Sequence, residues 1–298
     1  MKALLNPVFR REARTALRTW KIFTAMMCYV LMLTLVTALA LLVVWGEQVH
    51  NGFNPQNATM LYVVIAAFQL GLILLITPAL TGGAISSERE RQTLDLMLVT
   101  KMSTLSIIIG KLTSSLLVVA LLIFASLPVY GVIMYYGGIN LLHLFAMALY
   151  FLLVAAMTGA IAIFFSALFK RTIAAIILTY IVLLVFSLGT MIALLIMAGL
   201  LDVYFNIGVP YTLAYGIIGF NPFWGFIAVL DSQLGSSITT DFLDGMSRRF
   251  WMSPTPLPPP SLPPLWVANG LFNTWVVVGF VAWASVLIKP GRKSSRKR

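Results

Sequence analysis

The chain has 298 residues, 60% of them hydrophobic and 10% charged, with a net charge of +11. No soluble core uses that share of apolar side chains, so the composition excludes an ordinary water-soluble domain. The positive charge has no aromatic–basic platform or nucleic-acid module beside it, so nucleic acid is not an expected partner. Eighteen of the twenty Lys and Arg fall on one side of a six-pass apolar pattern, which identifies a membrane as the partner and sets the orientation.

Taken in chain order, Leu4 to Lys21 predicts an interfacial helix, residues 1–21. Phe9 lies on its aliphatic–aromatic face, and Arg10, Arg14 and Arg18 follow at four-residue spacing on the neighbouring face. Six apolar stretches follow: Ile22–Trp45, Leu61–Ile85, Leu105–Tyr135, Leu141–Phe169, Ile173–Leu200 and Trp266–Ile288. Each reaches the ~20 residues that an α-helix needs to cross a bilayer. The first is too long for the apolar region of a cleaved leader and reads as a retained anchor.

With the N-terminus inside, the inner segments hold eighteen bases and four acids, and the outer segments hold Arg248, Arg249 and five acids. Positive residues near span ends translocate poorly, so both termini are expected in the cytoplasm. Cys28, the single cysteine, forms no intrachain disulfide. Ser103 or Thr104 suits the N-cap of span three, which carries Pro128 near its outer end. Span four carries Ala155, Ala156, Gly159 and Ala160, small residues that let helices approach closely.

Between spans five and six, residues 201–265 hold a further apolar stretch, Tyr211–Leu230. Asn221-Pro222 interrupts it, and a seventh crossing would put the basic tail outside. The expectation is a re-entrant pair of short helices, followed by a proline-rich spacer with seven prolines between Pro254 and Pro264.

The second inner connection, residues 86–104, is the longest charged run between spans. Read as a helix, it stacks Glu88, Arg91 and Asp95 on one face and sets Leu94, Met97 and Leu98 beside them, with Ser86 or Ser87 at its start. An apolar ridge flanked by charge suits a groove on another protein. Ser87-Glu88-Arg89-Glu90, Thr93-Leu94-Asp95, Leu98, Thr100, Ser103 and Gly110-Lys111 together resemble the ABC-2 family of ABC transporter permease subunits.

The resemblance extends to the interfacial helix, the six spans and Asn221-Pro222-Phe223-Trp224. Two departures are visible: Lys101 stands where the family commonly has proline, and the outer loop is longer than in the simplest members. The resemblance implies an all-α membrane protein of one transmembrane domain, residues 1–298. It also implies a coupling helix at Ser87, Glu88, Arg89, Glu90, Arg91, Thr93, Leu94, Asp95, Met97 and Leu98 that docks on ATP-binding cassette subunits. Other implied partners are membrane lipid and a second permease subunit, identical or related. Spans two and five would line the route, with Asn221 and Phe223 as path residues and Gln69 either lining it or, the favoured reading, making a packing hydrogen bond to a neighbouring helix. The expected location is a bacterial inner membrane.

The chain itself carries no G-x-x-x-x-G-K-[ST] loop, since Leu112 follows Gly110-Lys111. It carries no H-E-x-x-H and only two histidines, His50 and His143. No catalytic residue, metal ligand or cofactor is therefore expected in this chain, and ATP and magnesium would be bound by partner subunits. The leading expectation is the transmembrane subunit of an ATP-driven exporter. The alternative is a membrane scaffold that uses the same basic faces to hold lipid or a partner without transport.

Overall fold

A computed structural model describes residues 20–51, 55–93, 103–136, 139–205, 208–248 and 262–288. Phe9, Arg10, Arg14, Arg18, Leu94, Asp95, Met97 and Leu98, with most of the proline-rich spacer, lie outside the described residues. The described residues form α-helices and a single π-turn, with no strand. In chain order the helices are α1 (Trp20–Asn51), α2 (Pro55–Thr81), α3 (Ser86–Glu90), α4 (Thr104–Ala125), α5 (Leu127–Tyr136) and α6 (Leu141–Leu168). They continue as α7 (Thr172–Leu184), a π-turn at Val185–Gly189, α8 (Thr190–Phe205), α9 (Tyr211–Gly219), α10 (Pro222–Leu234), α11 (Ile238–Arg248) and α12 (Leu265–Ile288).

Six segments are long and apolar enough to cross a membrane: Ile22–Val44, Thr59–Glu90, Thr104–Tyr135, Leu141–Leu168, Thr172–Phe205 and Leu265–Ile288. Several of their threonine hydroxyls bond back to their own helix. Thr34 Oγ1 donates to the Val30 carbonyl at 2.8 Å and Thr37 Oγ1 to the Leu33 carbonyl at 2.7 Å. That satisfies each hydroxyl without a solvent partner, as hydrocarbon requires.

The bundle is built around α6, which packs against α2, α4, α7, α10 and α12. Most of span four is buried, 78% of its central window against 11% for span five. The small residues explain the centre. Ala155 and Ala160 are fully buried, and a Cβ on Gly159 would come within 2.9 Å of Leu112 Cδ1, so α4 seats directly on this face.

Three local features depart from plain spans. Span three is broken at Ser126, just before Pro128, into α4 and α5. Its start is capped as expected: Ser103 Oγ accepts from Ser106 N at 3.2 Å. Span five carries the π-turn, which periodicity gave no sign of. The apolar stretch after it is two helices, α9 and α10, crossing at 104° at Phe220-Asn221. Asn221 caps α10 by accepting from Phe223 N at 2.8 Å, and Pro222 sits at the first helical position, where its missing N–H costs nothing. Beyond Gly235, which takes the left-handed φ of 67° at the end of α10, an unanticipated helix, α11, packs on α9 and α10. The Asp231 carboxylate starts it by accepting from Thr239 N at 2.7 Å.

Candidate functional site

The charged connection after span two does not continue as one helix. α3 covers only Ser86–Glu90, Arg91 caps it, and Gln92 takes a left-handed φ of 58°. Gln92 N donates to the Arg89 carbonyl at 3.1 Å and Thr93 N to the Glu88 carbonyl at 2.9 Å. These are the paired closing bonds of a Schellman helix end, with glutamine where glycine is usual. Thr93 Oγ1 also donates to the Glu88 carboxylate. The expected helix through residue 95 is therefore corrected: Glu88 and Arg91 share the helical register, but the backbone reverses at Gln92 and ends it before Asp95.

Three spans hold α3 in place. Ser166 Oγ, from the end of α6, accepts from Ile85 N and Ser86 N, both at 2.9 Å, and so supplies the start of α3 with an acceptor that Ile85 lacks. From α4, Lys111 Nζ lies 3.6 Å from Glu88 Oε1, and Lys111 is only 4% exposed. An ammonium at that depth needs a charged neighbour. The sequence reading set Lys111 at the edge of the connection; it stands two turns inside α4. From α7, Thr172 N donates to Glu90 Oε1 at 2.8 Å and Thr172 Oγ1 to Glu90 Oε2 at 3.1 Å. Ser87 Oγ turns back to the Gly83 carbonyl. Glu90, Arg91 and Gln92 are left exposed, with Arg89 half-buried. The element presents charge outward from a base fixed on spans three, four and five.

A second polar cluster lies at the α9–α10 elbow. Asn269 Nδ2 donates to the Gly219 carbonyl at 2.9 Å and the Asn221 carbonyl at 3.1 Å, capturing backbone groups that the break leaves free. Asn273 Nδ2 donates to Asn269 Oδ1 at 2.9 Å, and the Tyr150 hydroxyl donates to the Pro222 carbonyl at 2.5 Å. Asn221 Nδ2 reaches across to span five, donating to the Ser187 carbonyl at 2.7 Å and Thr190 Oγ1 at 3.0 Å. The sequence reading missed Ser166, Thr172, Tyr150, Asn269 and Asn273. The two asparagines stood at four-residue spacing in an otherwise apolar span, a signal as strong as Gln69.

The three expected path residues separate. Gln69 is fully buried, donating to Ser126 Oγ at 3.0 Å and accepting from the Tyr130 hydroxyl. Asn221 is 2% exposed, its side chain committed as above. Both are polar joints inside the bundle, and for Gln69 this is the expected packing hydrogen bond to a neighbouring helix. Phe223 is 48% exposed on α10.

A family model described as "ABC-2 family transporter protein" matches residues 36–234. This chain belongs to the ABC-2 transporter family. The match runs from span one through α10, so it takes in both α3 and the bent pair. The chain is thus the multi-pass transmembrane subunit of an ABC transporter, a class of membrane transport subunit that works with ATP-binding cassette partners. No curated protein matches the chain.

Proposed function

We propose that this ABC-2 subunit is the permease half of an exporter in a bacterial inner membrane, driven by separate ATP-binding subunits that dock on α3 and the residues after it. ATP and magnesium belong to those partners, and this chain supplies a path and a lever. The observation that carries this reading is the mounting of α3. Five residues are fixed to three spans by Ser166, Lys111 and Thr172, while their charged side faces outward. A surface loop with no load to bear needs no such base. A partner that displaces α3 displaces spans three, four and five with it.

Two chains, identical or related, pair around the route in this reading. Support comes from the exposed apolar faces of spans two and five: Val64, Gly71 and Leu75 on α2, and Ile173, Ile177 and Ile181 on α7, each at helical spacing. The two meet where the Tyr180 hydroxyl donates to the Leu75 carbonyl. The bent α9–α10 pair forms the outer closure, entering and leaving from the same side. The Leu4–Lys21 segment acts as a second lever, pushed together with α3 when the ATP-binding dimer closes.

The test is purification of the tagged chain from its native membrane in mild detergent, with mass spectrometry of what accompanies it. A stoichiometric ATP-binding subunit, lost on Arg91→Ala with Leu94→Ala while the permease stays folded, is the expected result. A chain that emerges without ATP-binding subunits even after crosslinking through residues 88–95 would instead be a scaffold.

A further inference from the structure

Span five is the least buried of the six, yet it is fastened at two points by residues that do not belong to it. At its start, Arg171 is the N-cap and provides no side-chain capping bond. The acceptor comes from α3: Glu90 takes both the backbone N–H and the hydroxyl of Thr172, at 2.8 Å and 3.1 Å. A carboxylate there also faces the positive end of the α7 dipole. Ser86 Oγ donates to Thr172 Oγ1 at 3.1 Å, tying the same residue to the start of α3. The approach depends on two glycines. A Cβ on Gly82 would sit 2.6 Å from Ile176 Cγ1 and 2.8 Å from the Pro78 carbonyl, and one on Gly83 would sit 3.2 Å from Thr172 Cγ2.

The second fastening is at the π-turn, where Asn221 Nδ2 holds the Ser187 carbonyl and Thr190 Oγ1. Asn221 stands at the elbow between α9 and α10, and Asn269 fixes its own carbonyl. From Thr172 to Ser187 is about 22 Å at ~1.5 Å per residue. Little of the span is buried, and between the two fastenings it is held by the Tyr180 hydroxyl, which donates to the Leu75 carbonyl, and by the packing of α7 on α6. A hydrogen-bonded helix is stiff along its axis, and such a rod carries a push with little loss.

We propose that span five is a connecting rod. Glu90 joins its start to α3, Asn221 joins the π-turn midway along it to the elbow of the bent pair, and a displacement of the inner loop reaches the outer closure through these two joints. Glu90 and Asn221 are positioning residues for gating. The proposal rests on the reading that α3 receives a partner's stroke. Its test uses the chain alone, so failure here leaves that reading intact.

Hydrogen exchange is measured on the full chain in lipid nanodiscs, without ATP or partner, following residues 172–176 and 223–225. Glu90→Ala speeds exchange at 223–225, and Asn221→Ala speeds exchange at 172–176, each by about two- to thirty-fold, the range expected of linked sites. Coupling between two equilibria is reciprocal, so both directions must respond. Glu90→Gln keeps an acceptor for Thr172 N and leaves the far end as in the wild type. If Asn221→Ala fails to fold, Thr190→Val removes one of the two acceptors and leaves the elbow's own bonds in place; it must still speed exchange at 172–176. Faster exchange confined to the mutated end in every variant would overturn the proposal, because each clamp would then be a local fixture.

Discussion

A Cβ on Gly225 would lie 2.1 Å from Asn269 Oδ1 and 2.6 Å from the Tyr150 hydroxyl, and neither group is free to give way. Asn269 holds two backbone carbonyls of the elbow, and Tyr150 holds a third. Gly159 is also tight, but its nearest neighbour, at 2.9 Å, is Leu112 Cδ1, the end of a flexible side chain. Overpacking costs about 1–3 kcal/mol where neighbours cannot move and less where they can. Gly225→Ala should therefore lower the midpoint of thermal unfolding in detergent clearly more than Gly159→Ala. Equal shifts would mean that the elbow's polar contacts are easily rearranged. Gly225 looked unremarkable in sequence because nothing near it in the chain crowds it; the crowding comes from residues 44 and 75 positions away.

At the scale of elements, α3 shows why local reasoning went part of the way. The charge run and the span before it were legible, because each depends on neighbours in sequence. The expected Ser86 or Ser87 cap is corrected: Ile85 is the N-cap, both serine hydroxyls turn back to carbonyls of the preceding turn, and Ser166 supplies the acceptor. The stop was not legible either, since glutamine in the left-handed region costs roughly 1–2 kcal/mol relative to a right-handed conformation and is a poor advertisement for a helix end. The Schellman bonds and the Thr93–Glu88 contact meet that cost. Gln92→Gly relieves it without touching either bond. The amide of Thr93 should then exchange about five- to thirty-fold more slowly, following the same cost. Unchanged exchange would show that the turn is held by contacts beyond the helix end. The α9–α10 break behaves differently: Asn221-Pro222 announced it, because proline acts through its own ring and its immediate predecessor. The π-turn stayed hidden, since its carbonyl is taken by a residue 34 positions further on.

For the whole molecule, the six spans were legible end to end because hydrocarbon demands length and apolarity from each segment separately. Which span sits at the centre was visible only in the small residues of span four. Orientation follows from charge and is directly testable, because Cys28 is the chain's one cysteine. In a Cys28→Ser background, Thr240→Cys on α11 should react with a membrane-impermeant maleimide in intact cells. Gln92→Cys, just past α3, should react only after permeabilisation. Both positions are exposed, so a reversed pattern would invert the topology. The Lys111–Glu88 pair has a consequence for how such a chain is made. The two charges lie 23 positions apart in the chain, and both have been synthesised before span four begins. A nascent chain that has completed span three therefore already holds the counter-charge for its buried ammonium. Ser166 and Thr172, which lock the loop to the rest of the bundle, arrive only with later spans. The first three spans hold this charge pair on their own, and α3 is fixed to the rest of the bundle last.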